Sequence, residues 1–327
     1  MKKLAIIALI VCVTALCFSF LPVKPAPIKY SFTGEPKTMA QLGEVLFFEK
    51  KLSLDGSKSC ASCHIPEFAF SDTVPFSKGV GNKLGKRNAP SCANLSDRPY
   101  LFYDGRAGSL EDQVKFPIED KNEMNIPIGE VVKRLNNDPQ YVALFQKIFS
   151  APPKEDYLKF AIAAFEKTLE TSKTPYDRYM DKDDSTLISA AALRGRELFL
   201  VKAKCFECHF SPDFTGDEFR NIGLFDGKKL NDSGRYAISK NPQDIGKFKV
   251  PGLRNVAVTG PYMHNGMFKT IKEVIEYYSD PYKIVAKPIN IDTNLVKPLN
   301  LSAQEKADLE AFLVSLTDDR YAGKIRK

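Results

Sequence analysis

Two short stretches carry residue types that could do redox chemistry: Cys60-Ala61-Ser62-Cys63-His64 and Cys205-Phe206-Glu207-Cys208-His209. Two cysteines three positions apart can each add to one vinyl group of a haem, and the adjacent histidine is then placed to ligate the iron. Two copies predict two covalently bound haem c groups. A pair of disulfides, or a zinc site, is the competing use of such spacing. The chain has three histidines, and two of them directly follow a Cys-x-x-Cys. A disulfide gives no reason for that placement, and zinc would need both cysteine pairs to converge on one ion.

These motifs need apolar walls and helices to hold them. Met39 to Lys51 has Leu42, Val45, Leu46, Phe47 and Phe48 at helical spacing and runs into the first motif. Gly43-x-x-Leu46-Phe47 is echoed by Gly195-x-x-Leu198-Phe199 before the second, which predicts an internal duplication. Glu130 to Phe149 and Glu155 to Leu169 read as helices, as do Thr270 to Tyr278 and Ser302 to Leu316. The last opens with a capping box of Ser302 and Glu305. Ser71 to Gly108 and Phe214 to Ile245 read as long loops, the first wrapped on a cofactor. No strand pattern competes, so the expected fold class is mainly α, with two cytochrome c-like haem domains in tandem.

At 327 residues there is room for two cores. The expected division is 1–26 as an export signal or N-terminal anchor, 27–175 as the first domain and 186–327 as the second. Lys173 to Ser185 is the expected boundary. The leader is read from Lys2 and Lys3 ahead of an apolar run, which implies an exported, periplasmic protein and leaves a membrane anchor open. Of seven cysteines, four belong to the motifs and Cys12 and Cys17 to the leader; Cys92 is left alone, so no disulfide network is expected. The formal charge of +7 is mild and mixed, which does not suggest a nucleic-acid partner.

With both motifs in view, further stretches fall into order: Arg87-Asn88-Ala89-Pro90, Asp104-Gly105-Arg106, Ser109 to Gln113, Pro117, Glu123-Met124, Val250 to Val256 and Pro261-Tyr262-Met263-His264-Asn265-Gly266. Together they resemble the bacterial di-haem cytochrome c peroxidases and the related MauG group. The resemblance implies that the first haem is the peroxide site, with His64 as its proximal ligand. Gln113, Pro117 and Glu123 match that family's distal pocket. Glu123 is then the expected acid–base that moves a proton between the two peroxide oxygens, with Gln113 donating a hydrogen bond. On charge alone, Glu111, Glu119, Asp120 and Glu123 read as one solvated loop; the three matched pocket positions reverse that. Some relatives block the resting site with a second histidine, and the matching position here is Val80.

For the second haem the resemblance implies His209 as proximal ligand and Tyr278 opposite, where peroxidases of the main type have methionine and MauG-like proteins tyrosine. Ordinary core packing competes, since Ile271, Val274, Ile275 and Tyr278 form one helical face; Met263, Met267 and Tyr277 compete as ligands. Tyr103 stands where the family often has a tryptophan between the haems, and is the expected electron relay. Asn88, Thr259 and Pro261 match positions that hold a calcium ion, against the simpler role of shaping turns. His264 resembles a hydrogen-bonding residue near the haems, and Arg106, Arg235 and Arg254 suit either propionates or ordinary salt bridges.

The expected function is reduction of hydrogen peroxide to water with electrons from a small cytochrome c or copper protein. The first rival is a MauG-like enzyme that oxidises a partner protein. The second is a di-haem electron carrier, which has no use for a distal acid–base pocket. Dimers are common in the family, which leaves a homodimer open, though nothing in the sequence shows one. Because Val80 replaces the blocking histidine, the resting ferric protein is expected to react with peroxide without prior reduction and to give one high-spin and one low-spin signal. A purely low-spin spectrum, silent to peroxide until reduced, would refute this.

Overall fold

The computed structural model describes residues 34–325, so the predicted leader lies outside the described residues. Eleven α-helices are described: α1 Met39–Phe47, α2 Leu110–Gln113, α3 Lys115–Glu119, α4 Ile128–Asn136, α5 Pro139–Phe149, α6 Glu155–Glu166, α7 Pro175–Lys182, α8 Ala190–Leu200, α9 Tyr236–Ser239, α10 Ile271–Ser279 and α11 Ala303–Ser315. The only described sheet is one antiparallel pairing of β1 (Phe219–Arg220) with β2 (Phe248–Lys249). The fold is mainly α. Among the described residues no helix is long and apolar enough to cross a membrane.

The predicted helix over Glu130 to Phe149 is two helices. Pro139 has no amide hydrogen to continue α4, and it suits the first turn of α5, which Asp138 caps through Gln140 N. Lys173 to Ser185, expected to connect domains, carries α7. Thr174 and Asp177 form its capping box, and its Tyr176 packs against Phe214 and Phe312. The capping boxes Thr270 with Glu273 and Ser302 with Glu305 start α10 and α11.

Two apolar cores result. One runs from Leu42 to Leu169 and the other from Tyr176 to Leu316. In each, the first long helix crosses the last at a glycine. A Cβ on Gly43 of α1 would stand 1.8 Å from the Ala161 carbonyl oxygen of α6, and one on Gly195 of α8 would stand 1.9 Å from the Asp308 oxygen of α11. No other residue permits such an approach.

The crossing brings three phenylalanines together in each core. Phe47, Phe70 and Phe165 meet at centroid distances of 5.2 to 6.2 Å, and Phe199, Phe214 and Phe312 meet at 5.0 to 6.0 Å. Such edge-on contacts add to the burial of the rings themselves. The two cores thus share one arrangement of glycine crossing and phenylalanine trio.

The halves are clamped by partly buried ion pairs and backbone bonds. Arg98 pairs with Asp213 and Asp217, and Arg87 joins Asp104 to Asp232 at 2.6 and 2.7 Å. Lys249 N donates to Tyr103 O, and Asn88 N to His264 O, both at 2.8 Å. Gly195→Ala should overpack the α8–α11 crossing and cost about 3 kcal/mol. Thermal unfolding of the haem-loaded protein checks this, and an unchanged midpoint would refute the crossing as a constraint.

Candidate active site

Each Cys-x-x-Cys-His stretch forms one tight turn. Cys63 N and His64 N both donate to Cys60 O, at 3.1 and 2.9 Å; Cys208 N and His209 N both donate to Cys205 O, at 3.2 and 2.9 Å. The turn puts both thiols and the imidazole on one side. His64 Nδ1 lies 3.1 Å from Phe70 O, and His209 Nδ1 lies 2.8 Å from Phe214 O. Those carbonyls belong to residues with φ of 57° and 56°, a strained conformation for phenylalanine that each aromatic trio holds in place. With Nδ1 engaged, Nε2 is the nitrogen left to ligate a metal.

Both motifs line one cavity of about 1130 Å³, larger than an ordinary small-molecule pocket. The four motif cysteines are free thiols. Among the described residues no group of three or more His, Cys, Asp or Glu side chains is arranged to hold a metal ion. Paired thiols and one available imidazole nitrogen, on the wall of a wide apolar space, suit a large flat cofactor that brings its own four nitrogen ligands. The residues present therefore fit haem c at both motifs.

In the first half, Gln113 at the end of α2, Pro117 in α3 and Glu123 in the following turn all line the cavity with His64. Glu123 is fixed by backbone: its carbonyl accepts from Val80 N at 2.8 Å, and Met124 N donates to Pro117 O at 3.0 Å. A Cβ on Gly79 would lie 2.6 Å from Glu123 Cα, so glycine lets this turn close. Burial raises the Glu123 carboxyl above its ordinary value, Asp120 adds to the rise, and Arg106 opposes it. A carboxyl so placed can hold a proton in a space that also admits a small substrate.

In the second half, Tyr278 of α10 is half-buried, lines the cavity and feels Cys205 and Cys208; desolvation holds its phenol well above the usual value. Tyr277 is directed elsewhere, its hydroxyl donating to Ile222 O at 2.5 Å. Met263 also borders the cavity. Tyr103, half-buried and edge-on to Phe248 at 6.5 Å, and His264, stacked on Phe248 at 3.8 Å and 11°, also line the cavity. Burial lowers His264 to about 4, so its ring is neutral at ordinary pH.

The similarity of this chain to known proteins follows the same lines. The family described as di-haem cytochrome c peroxidase matches residues 37–185. The methylamine utilization protein MauG of Methylorubrum extorquens is 38% identical over 277 residues, covering 84% of this chain and 77% of that protein. Cytochrome c551 peroxidase of Nitrosomonas europaea is 35% identical over 253 residues, covering 76% and 75%. The chain belongs to the di-haem cytochrome c peroxidase family. A crystal structure of a MauG-like protein associated with microbial copper homeostasis superposes with a TM-score of 0.79 at 33% identity, over 92% of this chain and 95% of that one.

Within this family frame, Asn88, Thr259 and Pro261 border the same cavity, and Asn88 Nδ2 donates to Val74 O at 3.1 Å. The three arginines have protein partners. Arg254 pairs with Asp177 and Asp213, Arg106 with Asp104, and Arg235 donates to the Asp104 and Gly105 carbonyls.

Two residues of the site were not visible in the sequence. Phe248 lies outside every predicted element, and its stacking on His264 pairs β2 with a later turn of the same half. Glu166 read as the polar edge of a helix, yet it is 5% exposed, lines the cavity, and its Oε2 has no hydrogen-bond partner. Burial and, secondarily, Glu111 raise it from 4.5 to about 8. The folded state thus holds this proton more tightly than the unfolded chain. The contribution of Glu166 to stability is most favourable below about pH 4.5, falls as pH rises, and reaches its full penalty above about 8. Denaturant unfolding of wild type and Glu166→Gln across that range should diverge in this direction, and parallel curves would refute it.

Proposed function

We propose that this protein is an exported di-haem peroxidase that reduces hydrogen peroxide to water. The observation that carries the reading is one cavity wall shared by His64, Gln113, Pro117 and a half-buried Glu123 whose carboxyl desolvation raises above its ordinary value. Cys60, Cys63 and His64 would hold the first haem, and Cys205, Cys208, His209 and Tyr278 the second. The first haem, once bound, supplies a redox-active iron at which the O–O bond is broken.

Glu123 takes a proton from one peroxide oxygen and returns it to the other, so that water leaves. Gln113 donates a hydrogen bond that orients the bound molecule, and Pro117 closes the wall without adding an amide donor. Tyr103, with Phe248 and His264 behind it, offers the path for electrons between the halves. A small cytochrome c or copper protein is the electron donor. Asn88, Thr259 and Pro261 supply the oxygen donors for one calcium ion between two haem domains, consistent with their common position on the cavity. Those domains follow the two apolar cores, with the join after Leu169 and before Tyr176. Export, by the segment 1–26, puts the enzyme in the periplasm.

A second reading, the MauG-like oxidation of a partner protein, is favoured by Tyr278 facing the cavity beside Cys205 and Cys208. A phenolate ligand is anionic and hard, and it lowers the reduction potential relative to thioether. One experiment addresses both: steady-state peroxide turnover with a reduced small cytochrome c, for wild type and Glu123→Gln. Rapid donor oxidation by wild type, slowed by roughly 10²- to 10⁴-fold in the variant with both haems kept, is expected. A wild type that consumes peroxide but ignores the donor supports the second reading. Equal kinetics in both proteins would leave only an electron carrier.

A further inference from the structure

Reduction of one hydrogen peroxide to two waters takes two electrons and two protons. Electrons come from the reduced donor. Glu123 shifts a proton between the two oxygens, but brings none into the cavity on balance. Two protons per turnover must therefore cross from solvent to a space walled by apolar side chains.

Glu166 is placed for that task. It ends α6, one turn after Ile162, and both residues line the cavity. A carboxyl there is costly: it is 5% exposed, and its Oε2 is buried without a partner. Among the described residues no cation forms an ion pair with it. The groups whose charges reach it are Glu111 of α2 and the thiols of Cys60 and Cys92, and Cys60 ceases to titrate once it is a thioether. The other helices packed on α6, which are α1 and α4, present no group that pairs with it.

Leucine would serve the core better at this position. A neutral carboxylic acid does something leucine cannot: it gives up one proton and takes another.

The outer end of a path is also present. Glu111, half-buried, accepts a hydrogen bond from exposed Lys167 at 2.8 Å, so it meets solvent. It lies two residues before Gln113 on the short helix that packs against α6. Glu111, Glu166 and Gln113 thus lead from the surface to the pocket beside His64.

We propose that Glu166 is a proton-relay residue, carrying protons from the Glu111 surface into the cavity where peroxide is reduced. The proposal rests on the peroxidase reading. Twice in each turnover Glu166 releases its proton to water or substrate oxygen in the cavity and is reprotonated from solvent through Glu111. Glu111 itself is a rim group and touches no substrate.

The test uses the haem-loaded protein and three variants: Glu166→Gln, Glu166→Asp and Glu166→Leu. The infrared spectrum at neutral pH should contain a protonated-carboxyl band that shifts in heavy water and is missing in Glu166→Gln. Turnover of peroxide should fall at least about tenfold in Glu166→Gln and Glu166→Leu. Glu166→Asp should recover part of it, and only proteins with a carboxyl at this position should lose rate above about pH 8. Glu166→Leu should unfold at a higher temperature than wild type, because an unpartnered polar group has been removed.

Unchanged turnover in Glu166→Gln, or a wild type without the infrared band, overturns the relay. If wild type itself fails to reduce peroxide, the peroxidase reading fails instead. That outcome is read from wild type alone.

Discussion

The arrangement depends on two helix crossings that only glycine allows. Where α1 meets α6 at Gly43, and α8 meets α11 at Gly195, the backbones approach so closely that a single methyl group would strike a carbonyl. That closeness drives Phe47 onto Phe165 and Phe199 onto Phe312, and each pair holds a third phenylalanine whose carbonyl engages the motif histidine. A bond from backbone to Nδ1 fixes which ring nitrogen faces the cavity. The orientation of both metal-binding histidines is thus set, through one aromatic trio each, by a contact in the core rather than by the motif itself.

The second level of organisation is the meeting of the halves. Each half alone would present an apolar crevice to water, an unfavourable exposure of surface. Facing each other, the two crevices become one cavity, with arginine–aspartate pairs at its margin. Arg87 and Arg98 reach from the first half, Arg235 reaches back to the Asp104 and Gly105 carbonyls, and Arg254 braces Asp177 and Asp213 within its own half. Partly desolvated pairs of this kind gain little net stability, but an unpaired member would be costly, so they fix register. The same closure brings the rings of Tyr103, Phe248 and His264 together.

Polar groups on the cavity wall divide by whether they are satisfied. Most acidic side chains at the margin have an arginine or lysine. Glu123 and Glu166 do not, and burial keeps each protonated to higher pH than an exposed glutamate. Natural cores rarely hold such groups unless they serve a purpose beyond stability. Their common place on the cavity wall is the electrostatic signature of that half. The second half has no counterpart; Tyr278 occupies its wall instead.

Much was legible in the chain itself, because the signals are local. Cys-x-x-Cys-His determines covalent attachment and the proximal histidine within five residues. Capping boxes at Thr270 and Ser302 mark helix starts, and the repeated Gly-x-x-Leu-Phe marks the duplication. The break at Pro139 and the helix at 175–182 are local too, marked by a proline without an amide hydrogen and by the capping box of Thr174 with Asp177.

What the sequence could not decide is which distant residues share a wall. Glu166 has the spacing of an ordinary solvated helix edge, and Phe248 that of a loop aromatic. Only packing of α2 against α6 removes water from the first, and only the packing of β2 on a later turn of the same half puts the second on His264. Local spacing fixes chemistry that neighbours in sequence can perform; burial, which sets a proton's affinity and a ring's partner, is a property of the folded whole.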